Sequence, residues 1–343
     1  MMNKRITAHR IMIFLLLLAP FMTGCLGEKD RDCIIYGKYP LTLRFLHNIN
    51  PEHNNTLPSV IDFIDLYFYT ESGQIYQTFH LTKDELEKTN YTFTEHFKPG
   101  NYRLSCWMNT GDDDYIVNYP ERISTGNVEV IGKEYHLNVA ENTPGVFYGY
   151  DDRLYDIDYE NQDVVFTIVD YPEEKTINFA KNTNHIEVIT KFDRVLVDPK
   201  MIDIRIVSPN GLANFVNRAV PNSPRYTYHP YQDPIVTTYE LDPIYGYKYY
   251  YSQINNFTTQ RLWEGDEAEL IISYTDYTGY VDVIARYKLT DDLLMKNPLY
   301  NNNFQLERYD QYQIVFYFDF DRQFVVTEIV VNDWVLINQK HEL

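Results

Sequence analysis

Cysteine is scarce in this chain, with three residues in 343: Cys25, Cys33 and Cys106. None sits in a CxxC pair and no HxxxH pattern lies nearby, so a thiolate or imidazole metal site is excluded and no metal or cofactor is expected. Catalytic motifs are missing as well. There is no HExxH, GxSxG, Walker loop or GxGxxG, and Cys106 has no recognisable histidine partner, which argues against an enzyme. Basic residues are in deficit, 30 Lys and Arg against 49 Asp and Glu. With no basic stripe to offset that balance, nucleic acid is not expected as a partner. Long stretches of helical period are few and do not alternate with strands, which excludes a doubly wound parallel sheet.

One apolar run is present at the N-terminus. Lys4, Arg5 and Arg10 precede an apolar stretch from Ile11 to Met22, broken by Pro20, and Thr23, Gly24 and Cys25 follow. The order of charged, apolar and small residues is that of a signal peptide ending in a lipobox-like site, although Met22 stands where leucine is usual. The run is shorter than the ~20 residues a membrane-spanning helix needs. Residues 1–24 are therefore expected to be removed and Cys25 to carry a diacylglycerol lipid. Several acyl chains on one cysteine hold a bilayer firmly, at ~0.8 kcal/mol per buried CH₂. Loss of Lys4, Arg5 and Arg10 with no acidic residue takes the net charge from −19 to −22. That acidity suits a soluble body held away from an anionic lipid surface. With Cys25 lipidated, Cys33 and Cys106 form an even pair in an exported chain, which favours a disulfide over two buried thiols.

What is abundant is aromatic and β-branched: 32 Tyr and 19 Phe stand among many Val and Ile. Such residues fill strands. Period-two patterns recur: Leu41, Leu43 and Phe45 share a face, as do Ile64, Leu66 and Phe68, and then Tyr102, Leu104, Cys106 and Met108. Cys106 thus falls on an apparently buried face, where a bridge or a core thiol fits better than a nucleophile. Helical signals are brief, a capping box from Thr82 to Glu85 and a candidate cap at Thr290. The fold expected is all-β, built of antiparallel sandwiches. The chain is long for one sandwich, so two domains are expected. The best boundary lies near residue 172, where Pro172 and a charged cluster follow the strand VVFTIV. The expected division is residues 1–24 as signal peptide, 25–40 as lipidated tether, 41–172 as first domain and 173–343 as second.

Two features invite chemistry. GDDDYIV and YGYDDRLYDIDYEN hold the carboxylates a glycosidase would use, and calcium at Asp112 to Asp114 is conceivable. In so acidic a chain, solvated loops explain both clusters better. The loop PNSPRYTYHPYQDP is rich in tyrosine and proline, either as surface packing or as a sticky face for a protein or glycan.

Behind the lipobox cysteine and the second cysteine, the stretches LTLRFLHN, VIDFIDLYFYTESGQI, KPGNYRLSCWMN and EIVVNDWVLI follow in order. Together they resemble the FimB-type fimbrial anchor lipoproteins of Bacteroidia, also described as fimbrillin-associated anchor proteins. The most specific parts are Leu66–Gly73, Pro99–Trp107 and Val331–Trp334, and the second half matches less clearly. The resemblance implies two tandem transthyretin-like β-sandwich domains. It also implies a role at the base of a surface fimbria, with lipid on Cys25 holding a fimbrial shaft subunit to the outer membrane and the subunit limiting fibre length. The acidic EKDRD after Cys25 is similar to signals that send such lipoproteins to the cell surface. Fimbrial subunits of this class join by strand exchange, so FVVTEIVVNDWVLI becomes the candidate shaft-binding strand, with Val331, Trp334 and Leu336 its proposed contacts. The alternative is that it is simply the last core strand. A competing function is a surface glycan-binding lipoprotein of a nutrient-uptake system, which would set Trp107 and Trp263 in one exposed strip. A hydrolase would need two carboxyls facing one cleft.

Overall fold

The structure, a computed structural model, describes residues 37–111, 115–118, 121–130, 139–140, 145–153, 164–193, 201–241, 249–319 and 323–338. Cys25, Cys33 and Asp112 to Asp114 lie outside the described residues, so the lipid site and one half of the expected disulfide are not described.

The first half contributes β1 (Tyr39–Ile49), β2 (Phe63–Thr70), β3 (Ile75–Thr82), β4 (Thr92–Phe97), β5 (Gly100–Met108), β6 (Tyr115–Asn118), β7 (Asn127–Val130), β8 (Val139–Ala140), β9 (Phe147–Asp151), β10 (Val164–Ile168) and β11 (Glu173–Lys181). Eight of them form one sheet, in the order β3-β2-β5-β9-β11-β1-β4 with β10 on the flank of β5. The sheet folds over on itself, because strands far apart in that order meet through their side chains. Phe68 of β2 lies 4.8 Å from Phe97 of β4, and Phe97 lies 6.0 Å from Phe166 of β10, ring centre to ring centre. Leu41, Leu43 and Phe45 fill the same interior with Ile64, Leu66 and Leu104. The alternation read in β1, β2 and β5 is therefore the inner face of a sandwich. Burial of each such side chain contributes about 1.5–3 kcal/mol.

Cys106 is in this interior, fully buried, as a free thiol. Burial pushes its pKa well above the ordinary value, so it is held as the unreactive neutral form. On the neighbouring strand β9 of the same sheet, Gly149 leaves no room for a side chain: a Cβ there would come within 2.5 Å of Ile177 Cγ2 and 3.2 Å of Cys106 Cβ.

The second half supplies β12 (Thr183–Phe192), β13 (Ile202–Ser208), β14 (Leu212–Asn214), β15 (Tyr226–Tyr228), β16 (Ile235–Leu241), β17 (Tyr249–Gln260), β18 (Glu269–Thr275), β19 (Val281–Lys288), β20 (Gln311–Asp319), β21 (Val325–Val331) and β22 (Trp334–Asn338). Two sheets result, β16-β17-β12-β20-β21-β22 and β19-β18-β13-β15-β8. Ile186, Val188, Ile314 and Phe316 from the first share a core with Ile204, Ile206, Leu270 and Ile272 from the second. The fold is all-β and largely antiparallel, as expected. Three pairs are parallel: β1 with β11, β12 with β20, and β15 with β8.

The halves are not strung one after the other. β11 lies just past residue 172, yet it pairs along β1 in the first sheet, from Leu41↔Glu173 to Phe45↔Ile177. The chain crosses into the second half at Asn182, so the boundary expected at 172 falls one strand early. Pro172 ends the short connection between β10 and β11, and the charged residues after it, Glu173, Glu174 and Lys175, open β11 itself rather than a linker. Moreover, β8 joins the second half's five-stranded sheet, and β7 pairs with β14 in a small sheet beside β6.

The outer face of β5 explains why. Ser105 and Trp107, opposite the Cys106 face, are also buried. Ser105 Oγ donates to the carbonyl of Phe215 at 2.5 Å and accepts from the indole N–H of Trp107 at 3.0 Å. Tyr67, Tyr69, Trp107, Tyr148 and Tyr150 belong to the same core cluster as the second half's two sheets. Two short helical expectations resolve differently. The Glu85 carboxylate does bind the Thr82 N–H at 2.9 Å and opens the helix Lys83–Lys88. Thr290 instead lies within the turn Leu289–Leu293 and donates its hydroxyl to Asp266.

Candidate functional site: the terminal hairpin edge

The stretch read as one final strand is a hairpin. Asn332 and Asp333 both take positive φ, +42° and +64°, which matches the two-residue turn that suits the twist of antiparallel strands. Their side chains tolerate that region better than most. Asn332 also fastens the turn to its neighbour: its carbonyl accepts from the Gln313 N–H at 2.5 Å and its amide donates to Tyr300 Oη at 2.5 Å. The turn is thereby set against β20.

The three proposed contact residues divide. Val331, at the end of β21, is fully buried in the shared core and faces no partner. Trp334 is 49% exposed and Val335 is 47% exposed. Leu336 is half-buried, packed with Ile337 on the rim of the core. Register runs Val331↔Trp334, Val330↔Val335 and Ile329↔Ile337, skipping Leu336 in a bulge. β22 is the last strand of its sheet and has no neighbour on its far side among the described residues. An unpaired edge carrying exposed apolar side chains is a template for another strand.

A second feature, a cross-braced joint between the halves, is announced by no local motif. Tyr150 on β9 donates to Glu307 Oε1 at 2.5 Å and accepts from Arg261 Nη1 at 2.7 Å and Asn217 Nδ2 at 2.8 Å. Arg261 pairs with Glu307 at 3.0 Å, and Asn217 exchanges hydrogen bonds with Asn182 at the crossover. All five are buried. The Tyr150 hydroxyl bonds both members of the buried charge pair, and the Asn217 carbonyl accepts a further bond from Arg261 Nη1 at 3.3 Å. Burial pushes the Tyr150 hydroxyl far above the ordinary phenol range, so it stays a protonated donor.

The features expected of the competing functions are placed elsewhere. Trp107 is 1% exposed, packed edge-on to Tyr148, while Trp263 is half-buried under Arg261 at 5.2 Å. The two do not form an exposed strip, because Trp107 serves the shared core. Asp151 is buried between Lys175 at 3.1 Å and Arg153 at 3.3 Å, a structural ion pair rather than half of a carboxylate dyad. Among the described residues no group of three or more His, Cys, Asp or Glu is positioned to hold a metal.

Comparison with known proteins agrees with this architecture. A candidate adhesin from Bacteroides thetaiotaomicron is similar with a TM-score of 0.69 and 23% identity, over 87% of this chain and 97% of that one. A candidate polysaccharide-binding protein from the same species has a TM-score of 0.67 and 17% identity, over 89% and 99% of the two chains. The fimbrial anchor protein Mfa2 from Porphyromonas gingivalis has a TM-score of 0.64 and 17% identity, over 88% and 99%. At these identities the likeness is one of fold. No curated protein matches by sequence. The family model for fimbrillin-A associated anchor proteins Mfa1 and Mfa2 matches residues 29–340, so the chain belongs to that family.

Proposed function

We propose that the protein anchors a surface fimbria to the outer membrane through lipid on Cys25 and limits the length of the fibre. It does no catalysis. The shaft subunit is held non-covalently, by a strand that the subunit adds to the free edge of β22. The observation that carries this reading is the exposed apolar edge at Trp334 and Val335 in a chain of the anchor family. Backbone ladder bonds along such an edge supply affinity, and alternate side chains set the register. The bulge at Leu336 limits the length of edge on offer, which suits one partner and resists open-ended stacking.

Replacement Cys25→Ala in the native cell tests the anchor itself. The expected result is fimbriae released into the medium, longer than those of the parent strain by electron microscopy. Fimbriae that stay attached at native length would overturn the proposal.

A further inference from the structure

Tyr226 and Tyr228 of the tyrosine-rich segment are core residues of β15, but the anchor reading leaves Trp263 and residues 222–225 ahead of that strand without a task, although the two converge on one cavity of about 450 Å³. We propose that this cavity binds a neutral saccharide, with Trp263 packing against the C–H face of a pyranose ring and Asn222, Ser223 and Arg225 bonding its hydroxyls. This inference is independent of the fimbrial proposal.

Three observations carry it. The first is the aromatic platform and its fixity. The Arg261 guanidinium lies over the indole, 5.2 Å from its centre, and the backbone N–H of Trp263 donates to Asp266 Oδ2 at 3.0 Å. Asp266 also accepts from the Ala268 N–H and the Thr290 hydroxyl at 3.0 Å each. Neighbouring turn amides are tied to other elements, Glu264 N–H to Asn303 Oδ1 at 2.8 Å and Gly265 N–H to Asp291 Oδ1 at 2.9 Å. A platform ordered beforehand loses little entropy on binding.

The second observation is spare hydrogen-bonding capacity on the cavity wall. Among the described residues, neither the indole N–H of Trp263 nor the side-chain amide of Asn222 has a hydrogen-bond partner. Asn222 is exposed in a left-handed turn at φ +59°. Ser223 Oγ spends its proton on the Val220 carbonyl and keeps its lone pairs. One amide, one hydroxyl and one indole N–H thus offer both donors and acceptors, the mixture that vicinal hydroxyls demand.

The third is charge. Arg225 is the cation of the wall, and it is already engaged by Glu269 Oε2 at 3.1 Å and Glu267 Oε2 at 3.6 Å. It also donates to the Glu267 carbonyl at 3.1 Å, which fixes the fork in place. Its charge is offset locally, so an anionic ligand gains no net attraction, while the guanidinium edge can still donate. A cavity of this size, with an aromatic wall and a few convergent polar groups, fits the pattern of small-ligand sites.

The test uses the full chain titrated with D-glucose, D-mannose, D-galactose, N-acetyl-D-glucosamine, maltose and cellobiose, with D-glucuronate as charged control. Binding is read by tryptophan emission and by saturation-transfer NMR. At least one neutral sugar is expected to bind with a Kd of about 1–10 mM, and glucuronate more weakly. Asn222→Gly, which keeps the left-handed turn, is expected to weaken binding at least ~tenfold with an unchanged thermal midpoint. Trp263→Ala should abolish it, and the glycine variant keeps the test valid if Trp263→Ala misfolds. No binding of any neutral probe at about 50 mM would overturn the proposal. So would preference for glucuronate, or binding undiminished in Asn222→Gly.

Discussion

His47 shows how one buried side chain sets a response to pH. It is buried on β1, and its neutral ring donates from Nδ1 to the Phe179 carbonyl at 2.8 Å while standing edge-on to Phe147. Burial lowers its pKa below the ordinary 6.5, against the opposing pull of that carbonyl and of Asp310. Lys181 faces it too and pushes the same way as burial, its own charge paired with Asp310 at 2.5 Å. The sign follows from proton counting. Above pH 6.5 both folded and unfolded chains hold the ring neutral, and its contribution is flat. As pH falls below 6.5 the unfolded chain takes up a proton that the folded one refuses, so stability falls. The urea midpoint should therefore drop between pH 7.5 and 5, and His47→Gln, which keeps a donor for Phe179, should flatten part of that slope. His185, lowered by burial and by the same lysine, accounts for a further share. An identical slope in wild type and His47→Gln would show that His47 is not the group that titrates.

At the scale of elements, β22 is the part whose function is most exposed to a direct test. Lysine on an edge strand discourages pairing, and a substitution at an exposed site usually shifts stability by no more than about 0.5 kcal/mol. The double replacement Trp334→Lys and Val335→Lys should leave the thermal midpoint within a few degrees of wild type, while fimbriae are shed from cells expressing it. Cells that retain fimbriae of native length with that variant would rule out β22 as the docking edge. How far this edge was legible beforehand is instructive. The apolar alternation of FVVTEIVVNDWVLI identifies strand, but taken as one continuous run it hides the turn at Asn332-Asp333 and puts Val331, a core residue, on the contact face. The inner faces of β1, β2 and β5 were legible for a different reason: their pattern depends only on residues two apart. The outer face of β5 was not, since Ser105 and Trp107 are covered by Phe215 and Tyr148, whose positions are fixed by distant strand pairing. Tyr150, Asn217, Arg261 and Glu307 were illegible on the same ground, being scattered in sequence and joined only by the fold.

For the whole molecule the interlocking of the halves decides how it bears load. An anchor pulled between a lipid on Cys25 and a fibre at β22 would fail at its weakest internal boundary, and two loosely linked domains would offer one. Here the boundary is filled: Tyr67, Tyr69, Trp107, Tyr148 and Tyr150 of the first half lie in the core of the second. At about 1.5–3 kcal/mol for each large side chain buried, these five account for roughly 10 kcal/mol, as much as the whole stability of a typical domain at about 5–15 kcal/mol. Separating the halves would also strand Arg261 and Glu307 without the Tyr150 hydroxyl between them, and unpairing β7 from β14 and β8 from β15 would open two further edges. The protein should therefore unfold as one cooperative unit, with calorimetric and van't Hoff enthalpies that agree. A fragment of residues 25–182, cut at the crossover rather than within the first sheet, should expose its aromatic face, bind a hydrophobic dye and lack a sharp melting transition. Two resolved transitions in the full chain, or a cooperative melt of that fragment alone, would mean that the halves are separable and that the joint between them carries little of the load.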